Sequence, residues 1–101
     1  METLNKLYNE TDLVYFGMAC TYLLQIGFDK ARKITDMSLE KTLEDLKKKD
    51  EECGGMSIIS PELNIWIMKT AREIANSVSE VQFMQWIIVN KIYDTKGIKK
   101  A

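Results

Sequence analysis

The chain has 101 residues, of which 29 % are charged and 46 % are apolar, and its formal net charge is −1. This length fits one domain, and this composition is that of a folded chain and excludes extensive disorder. The balanced charge provides no general attraction to nucleic acid or anionic lipid. One proline and five glycines supply few turns for an all-β fold, so we expect an all-α protein.

The first predicted element is one helix from about residue 3 to residue 26, ended by Gly27. The residues of one helical face recur there at steps of three and four: Leu4, Tyr8, Thr11, Tyr15, Met18 and Tyr22. The other sides are also apolar, apart from a small or polar strip of residues four apart: Gly17, Thr21 and Gln25. A helix that is apolar nearly all round is expected to be surrounded by neighbours.

The uncharged stretch from residue 13 to residue 28 is sixteen residues long. A membrane-spanning helix needs about twenty predominantly apolar residues. The acidic residues near the start do not suit the positive n-region of a signal peptide. We therefore expect a core helix, no membrane insertion, and a cytoplasmic protein.

Two further helix starts are indicated after this stretch. Asp29 is a plausible N-cap for a short helix, and Asp36 or Ser38 can restart or continue a helix through the charged run that follows. Whether residues 29–52 form one bent helix or two is left open by the pattern. Adjacent glycines at 54 and 55 then predict the one clear loop.

The second half of the chain contains the strongest local signals. Ser60 and Pro61 predict a helix start, because a serine oxygen caps free N–H groups and proline suits the first helical position. Ser79 with Gln82 fits a capping box, so we expect a break near residues 77–79 in place of one continuous rod. The last helix is apolar on two sides, with Met84 and Ile88 among the residues of one side.

Chemistry-bearing motifs are few. The chain has no histidine, the residue most used for acid–base catalysis near neutral pH and for binding transition metals. No glycine-rich phosphate loop is present. Cys20 lies among apolar neighbours and is expected to be a buried, inert thiol, and Cys53 is expected to be reduced as well. We therefore expect a non-enzymatic protein without a cofactor.

Residues 70–93 also fit an alternative function, a dimeric DNA-binding transcriptional regulator with a helix-turn-helix. Two features weigh against it: the turn is short and lacks a glycine, and no Arg or Lys occurs from residue 73 to residue 90. Phosphate contacts supply much of the affinity of such proteins, so nucleic acid is not the expected partner.

The predicted architecture is an all-α bundle of four or five helices with two largely buried long helices, the first and the last, at its centre. We divide the chain into a single helical domain, residues 1–95, and a short basic tail, residues 96–101. So few helices cannot encircle two central ones. We therefore expect another polypeptide, either a different protein or a second copy in a homodimer, to cover the remaining apolar surface. The alternative is a monomer whose aromatic residues turn inward.

The predicted function is a protein–protein interaction module, such as a regulator, inhibitor, adaptor or immunity-type factor. On the helix after residue 60, Ile65 and Trp66 are expected on the outer face among charged residues, covered either by residues 56–59 or by another chain. A tryptophan ringed by charges is typical of interface anchors. The candidate interface residues are Ile65, Trp66, Lys69, Glu73, Phe83, Trp86, Ile87 and Tyr93.

Overall fold

Six helices and no strand make up the part of the chain that the computed structural model describes, residues 2–54 and 59–90. They are α1 (Glu2–Glu10), α2 (Leu13–Ile26), α3 (Phe28–Arg32), α4 (Asp36–Glu52), α5 (Pro61–Ser77) and α6 (Glu80–Asn90). The predicted all-α bundle is confirmed, with six helices in the described residues where four or five were expected. The loop residues 55–58, the end of the predicted last helix, Tyr93 and the basic tail lie outside the described residues.

The prediction of one helix from residue 3 to residue 26 was wrong, because the chain bends between α1 and α2. Asp12 has a non-helical backbone, with φ −56° and ψ 126°, and its Oδ1 accepts a hydrogen bond from the Val14 N–H at 2.9 Å. An aspartate that caps a new helix in this way cannot also continue the preceding one. The apolar period runs on across the break, which is why the pattern alone suggested a single helix.

Glycine and threonine decide the structure between residues 27 and 36. Gly27 has φ +90°, a left-handed conformation that favours glycine, and it ends α2 as predicted. The short α3 follows at once, with Asp29 inside its first turn and not at the expected N-cap position. Thr35 then caps α4 in a reciprocal pair of hydrogen bonds with Ser38. Residues 29–52 therefore belong to two helices, α3 and α4, and not to one bent helix.

Both helix starts predicted in the second half are confirmed. The Ser60 Oγ accepts a hydrogen bond from the Leu63 N–H at 3.1 Å, and Pro61 is the first residue of α5. Ser79 and Gln82 form the expected capping box, with hydrogen bonds of 3.1 and 3.2 Å. The break between α5 and α6 lies at residues 78–79.

The helix at the centre of the bundle is α5, which packs against α1, α2, α3 and α4. The expectation that the first and last helices occupy the centre was therefore wrong in detail. Ala71 and Ala75 are buried on α5, and their small side chains let the neighbouring helices approach closely. Arg32 of α3 donates from Nε to the Ala75 carbonyl oxygen at 2.9 Å, which fixes α3 on this side of α5.

One aromatic cluster lies where α1, α2, α3 and α6 meet. Its core includes four aromatic residues, each with less than one-tenth of its surface exposed: Phe16, Phe28, Phe83 and Trp86. Together with the ring of Tyr8 on α1, these rings form edge-to-face pairs at centroid distances from 5.3 to 6.1 Å, a favourable arrangement for aromatic pairs. The inward orientation of these aromatics is the arrangement that the monomer alternative anticipated.

Candidate functional site

One side of α6 is buried against the rest of the chain. Phe83 packs edge to face on Phe28, with 5.5 Å between ring centroids. Trp86 contacts the rings of Tyr8 and Phe16, and its Nε1–H donates to the Asn5 Oδ1 at 2.9 Å. Ile87 is buried beside them.

These contacts place three of the candidate interface residues in the core of the chain and not at an interface. Phe83, Trp86 and Ile87 belong to the core of this chain, so their side chains are not offered to a partner. The physical reason is that the first three helices supply aromatic rings that match this side of α6. Since both sides of α6 are apolar, the sequence pattern could not tell which of them faces inward.

The opposite side of α6 is exposed, and we call it the α6 outer face: Val81, Met84, Ile88 and Val89. Val81 is 66 % exposed, Ile88 60 % and Val89 77 %. Val81, Met84 and Ile88 are three and four residues apart, so they form one stripe along the helix. No residue from 81 to 90 is charged. The α6 outer face is therefore an uncharged and mainly apolar surface, with the exposed Gln82 and Gln85 beside it, on a helix whose other side is anchored in the core.

Of the candidate interface residues on α5, one is buried and two are exposed. Ile65 is 8 % exposed because α4 packs on this side of α5, where Ile65 lines a cavity with Leu39 and Leu43. Its predicted outer position was therefore wrong. Lys69 is exposed, as are Glu73 and much of the α4 surface.

Trp66 is half-buried on α5. Residues 56–58 of the segment that was expected to fold over it, and the candidate Tyr93, lie outside the described residues. The choice between that segment and another chain as the cover of Trp66 thus stays open.

A second apolar surface, which the sequence reasoning did not identify as a site, lies between α2 and α5. It is a groove of about 360 Å³, and we call it the α2–α5 groove. Its lining residues carry no charged group: Leu13, Val14, Gly17, Met18, Thr21, Tyr22, Gln25, Ile59, Asn64 and Ile67. The strip of Gly17, Thr21 and Gln25 noted in the sequence was the signal that could have indicated it.

Gly17 leaves open space in the wall of the groove. A Cβ atom built on Gly17 meets no atom within 4 Å outside the neighbouring backbone. The backbone of α2 is thus accessible to close approach from outside. Nearby, burial raises the pKa of the Tyr22 hydroxyl, as expected for a group in apolar surroundings.

Few groups in the described residues are placed for chemistry. Burial raises the pKa of the Cys20 thiol to about 12, which makes it a poor nucleophile, as predicted for an inert core cysteine. Within residues 2–54 and 59–90, no three His, Cys, Asp or Glu side chains come together as a metal site. No buried side-chain nitrogen or oxygen in these ranges lacks a hydrogen-bond partner.

None of the helices in the described ranges combines the length and the apolarity needed to cross a bilayer. The described residues present two uncharged and mainly apolar surfaces, the α6 outer face and the α2–α5 groove. Comparison of the chain with protein-family models, with curated proteins and with solved structures found no match, so the assignment below rests on these two surfaces.

Proposed function

We propose that this chain is a non-enzymatic interaction module that docks an apolar helical surface on another polypeptide. The observation that supports this proposal most directly is the α6 outer face. Exposed apolar residues are common singly on protein surfaces, but a contiguous exposed stripe is typical of an interaction site. Here the stripe runs along α6 beside the exposed but uncharged Gln82 and Gln85, and the nearest charged residue before it is Glu80.

The stripe has the spacing used in helix-in-groove recognition. In that mode a helix inserts apolar side chains at positions i, i+3 and i+7 into a groove of the partner. Val81, Met84 and Ile88 occupy these positions. Such contacts derive their free energy from burial of apolar surface, to which charged residues at the centre would be a cost.

The α6 outer face is also held in place before any partner binds. The capping box of Ser79 and Gln82 fixes the start of α6, and the hydrogen bond from Trp86 to Asn5 ties the middle of α6 to α1. A preformed helix loses little conformational entropy on docking. This rigidity supports the stripe as a recognition element.

Such a module acts by occupying or joining other proteins, as a regulator, inhibitor, adaptor or immunity-type factor. It needs no cofactor for that role. The two free cysteines suit a reducing compartment, and we place the protein in the cytoplasm.

The test is affinity capture from a lysate of the source organism with three tagged proteins, followed by mass spectrometry. Ile88→Lys places a charge in the stripe, and Glu44→Gln is its matched control, since both raise the net charge by one and Glu44 is exposed on α4. We expect one stoichiometric polypeptide with the wild type and the control, and at least about tenfold less with Ile88→Lys, equivalent to about 1.4 kcal/mol. Equal recovery with all three proteins would refute the proposal.

A Trp66→Ala variant tests the predicted anchor on α5 in the same experiment. Retention on heparin that disappears at moderate salt, and that is lost in a Gln82→Ala/Gln85→Ala variant, would instead favour the DNA-binding alternative of residues 70–93. The exposed side of α6 between residues 80 and 90 offers no cation to a phosphate, so we expect no such retention.

A further inference from the structure

We propose that the α2–α5 groove binds a small uncharged amphiphile from solution, a molecule with one alkyl chain and one neutral hydrogen-bonding head such as an alcohol. None of the described residues that line the groove belongs to α6. This inference is therefore independent of the proposed function, which uses the α6 outer face.

The polarity of the groove changes along α2. Leu13, Val14 and Met18 line its N-terminal half. Leu13 is 42 % exposed and Val14 61 %, so both have apolar surface that a ligand can bury. Thr21 and Gln25 line the C-terminal half, four residues apart on one side of the helix. An apolar end and a polar end in one groove match the two ends of an amphiphile.

The polar groups of the groove are available to a ligand. Within residues 2–54 and 59–90, the side chains of Thr21, Tyr22 and Gln25 form no hydrogen bond with another protein group. Thr21 and Tyr22 are half-buried, and a hydrogen bond in such surroundings is stronger than one in bulk water. The Thr21 hydroxyl and the Gln25 amide both donate and accept, as the head of an alcohol does.

The groove disfavours a charged ligand. No Lys, Arg, Asp or Glu is among its lining residues in the described part of the chain. A carboxylate head would lose hydration there without gaining a cation, which is costly. The expected ligand is therefore neutral, and a fatty acid is a poorer ligand than an alcohol of the same chain length.

The volume of the groove limits the size of the ligand. An apolar cavity of about 150 Å³ binds one benzene molecule. The groove volume of about 360 Å³ thus holds roughly two such groups, or about 12–14 non-hydrogen atoms. The lining from Leu13 to Gln25 extends over about 18 Å of α2, so the ligand is elongated. Because the groove is open to solvent on one side, we expect a Kd of about 0.01–1 mM.

The experiment is titration of the isotope-labelled full chain with decanol at neutral pH, followed by heteronuclear NMR. We expect saturable shifts of the Gly17 backbone amide and the Gln25 side-chain amide, and none on the α6 outer face. Decanoate has the same chain length and a charged head, so its Kd should be at least about tenfold higher.

Substitutions at residue 17 test the position of the ligand. Gly17→Phe fills the groove, whereas Gly17→Ala is its matched control, because a Cβ atom at this residue meets no atom within 4 Å. We expect the Kd for decanol to rise at least about tenfold in Gly17→Phe and less than about threefold in Gly17→Ala. Circular dichroism checks that each variant is folded, and Val14→Asp replaces Gly17→Phe if the latter is not.

Three results would overturn the inference: no saturable shifts with decanol, equal binding of decanoate, or a Kd unaffected by the groove variants. The Ile88→Lys variant should bind decanol as the wild type does, since Ile88 lies outside the groove. Capture of a partner from a lysate depends on Ile88 and not on decanol binding, so the failure of this inference and the failure of the proposed function are separate results.

Discussion

Replacing Phe83 by alanine tests whether α6 packs through the side described above. The Phe83 side chain is fully buried, and its ring lies 5.5 Å from that of Phe28. A buried phenylalanine removes about 150–250 Å² from water. At about 25 cal/mol per Å² this contributes roughly 4–6 kcal/mol, of which the alanine methyl retains a part. With the observed range of about 3–5 kcal/mol for such substitutions, we expect a loss of about 4 kcal/mol.

That loss is large for a chain of this size, because a domain of about 100 residues is stable by only about 5–15 kcal/mol. Equilibrium unfolding in urea, followed by far-ultraviolet circular dichroism, measures it. The matched control is Val89→Ala on the opposite side of α6, where the free energy of unfolding is expected to change by less than about 0.5 kcal/mol. A loss below about 1 kcal/mol for Phe83→Ala, or a larger loss for the control, would mean that the two sides of α6 have been assigned the wrong way round.

Three further predictions concern contacts elsewhere in the chain. Asn5→Ala removes the acceptor of the Trp86 Nε1–H and leaves the indole in place, so we expect a loss of about 1 kcal/mol in urea unfolding, and a larger loss for Trp86→Phe, which also leaves a cavity in the core. Arg72→Met removes the guanidinium hydrogen bonds to the Ile34 carbonyl and the Asp36 carboxylate, and we expect a loss of about 1 kcal/mol at low salt that becomes smaller at high salt, because the Asp36 carboxylate is largely exposed and its attraction to Arg72 is screened. Alkylation of the native chain at mildly alkaline pH, read by mass spectrometry, should label Cys53 and spare Cys20, whose pKa burial raises to about 12.

The same raised pKa has a consequence for stability against pH. The folded chain holds the Cys20 thiol protonated at pH values at which the unfolded chain, with a pKa of 9.0, has lost the proton. The contribution of this group is therefore intact below about pH 9 and falls as the pH rises toward about 12. A Cys20→Ala variant should lose stability less steeply over this window, and an identical slope in both proteins would contradict the burial of this thiol.

The helix ends that the sequence predicted correctly depend on local chemistry. Gly27, Ser60 with Pro61, and Ser79 with Gln82 all act within four residues of their own position, so the pattern of residue types was sufficient to locate them. The break at Asp12 has a local signal too, an aspartate ahead of an apolar run. It was outweighed because the apolar period continues through it.

The arrangement of the helices could not be predicted in the same way, because it depends on distant partners. The two sides of α6 are similar in apolarity, and only the rings of Tyr8, Phe16 and Phe28 select the one that is buried. Ala71 and Ala75 allow the neighbouring helices to pack closely on α5. In the sequence, alanine is only a weakly hydrophobic residue, so these two positions did not indicate that α5 is central. The groove lies between α2 and α5, which are distant in the chain. The sequence pattern of α2 alone therefore showed only the residues that α2 contributes to the groove.

The bare stripe on α6 has a consequence for the life of the protein in a cell. Chaperones and proteases recognise exposed apolar surface, which folded proteins normally bury, and a chain that exposes such a surface without a partner is prone to aggregate. If the α6 outer face binds a partner as proposed, we expect copies without that partner to be degraded faster than copies in the complex.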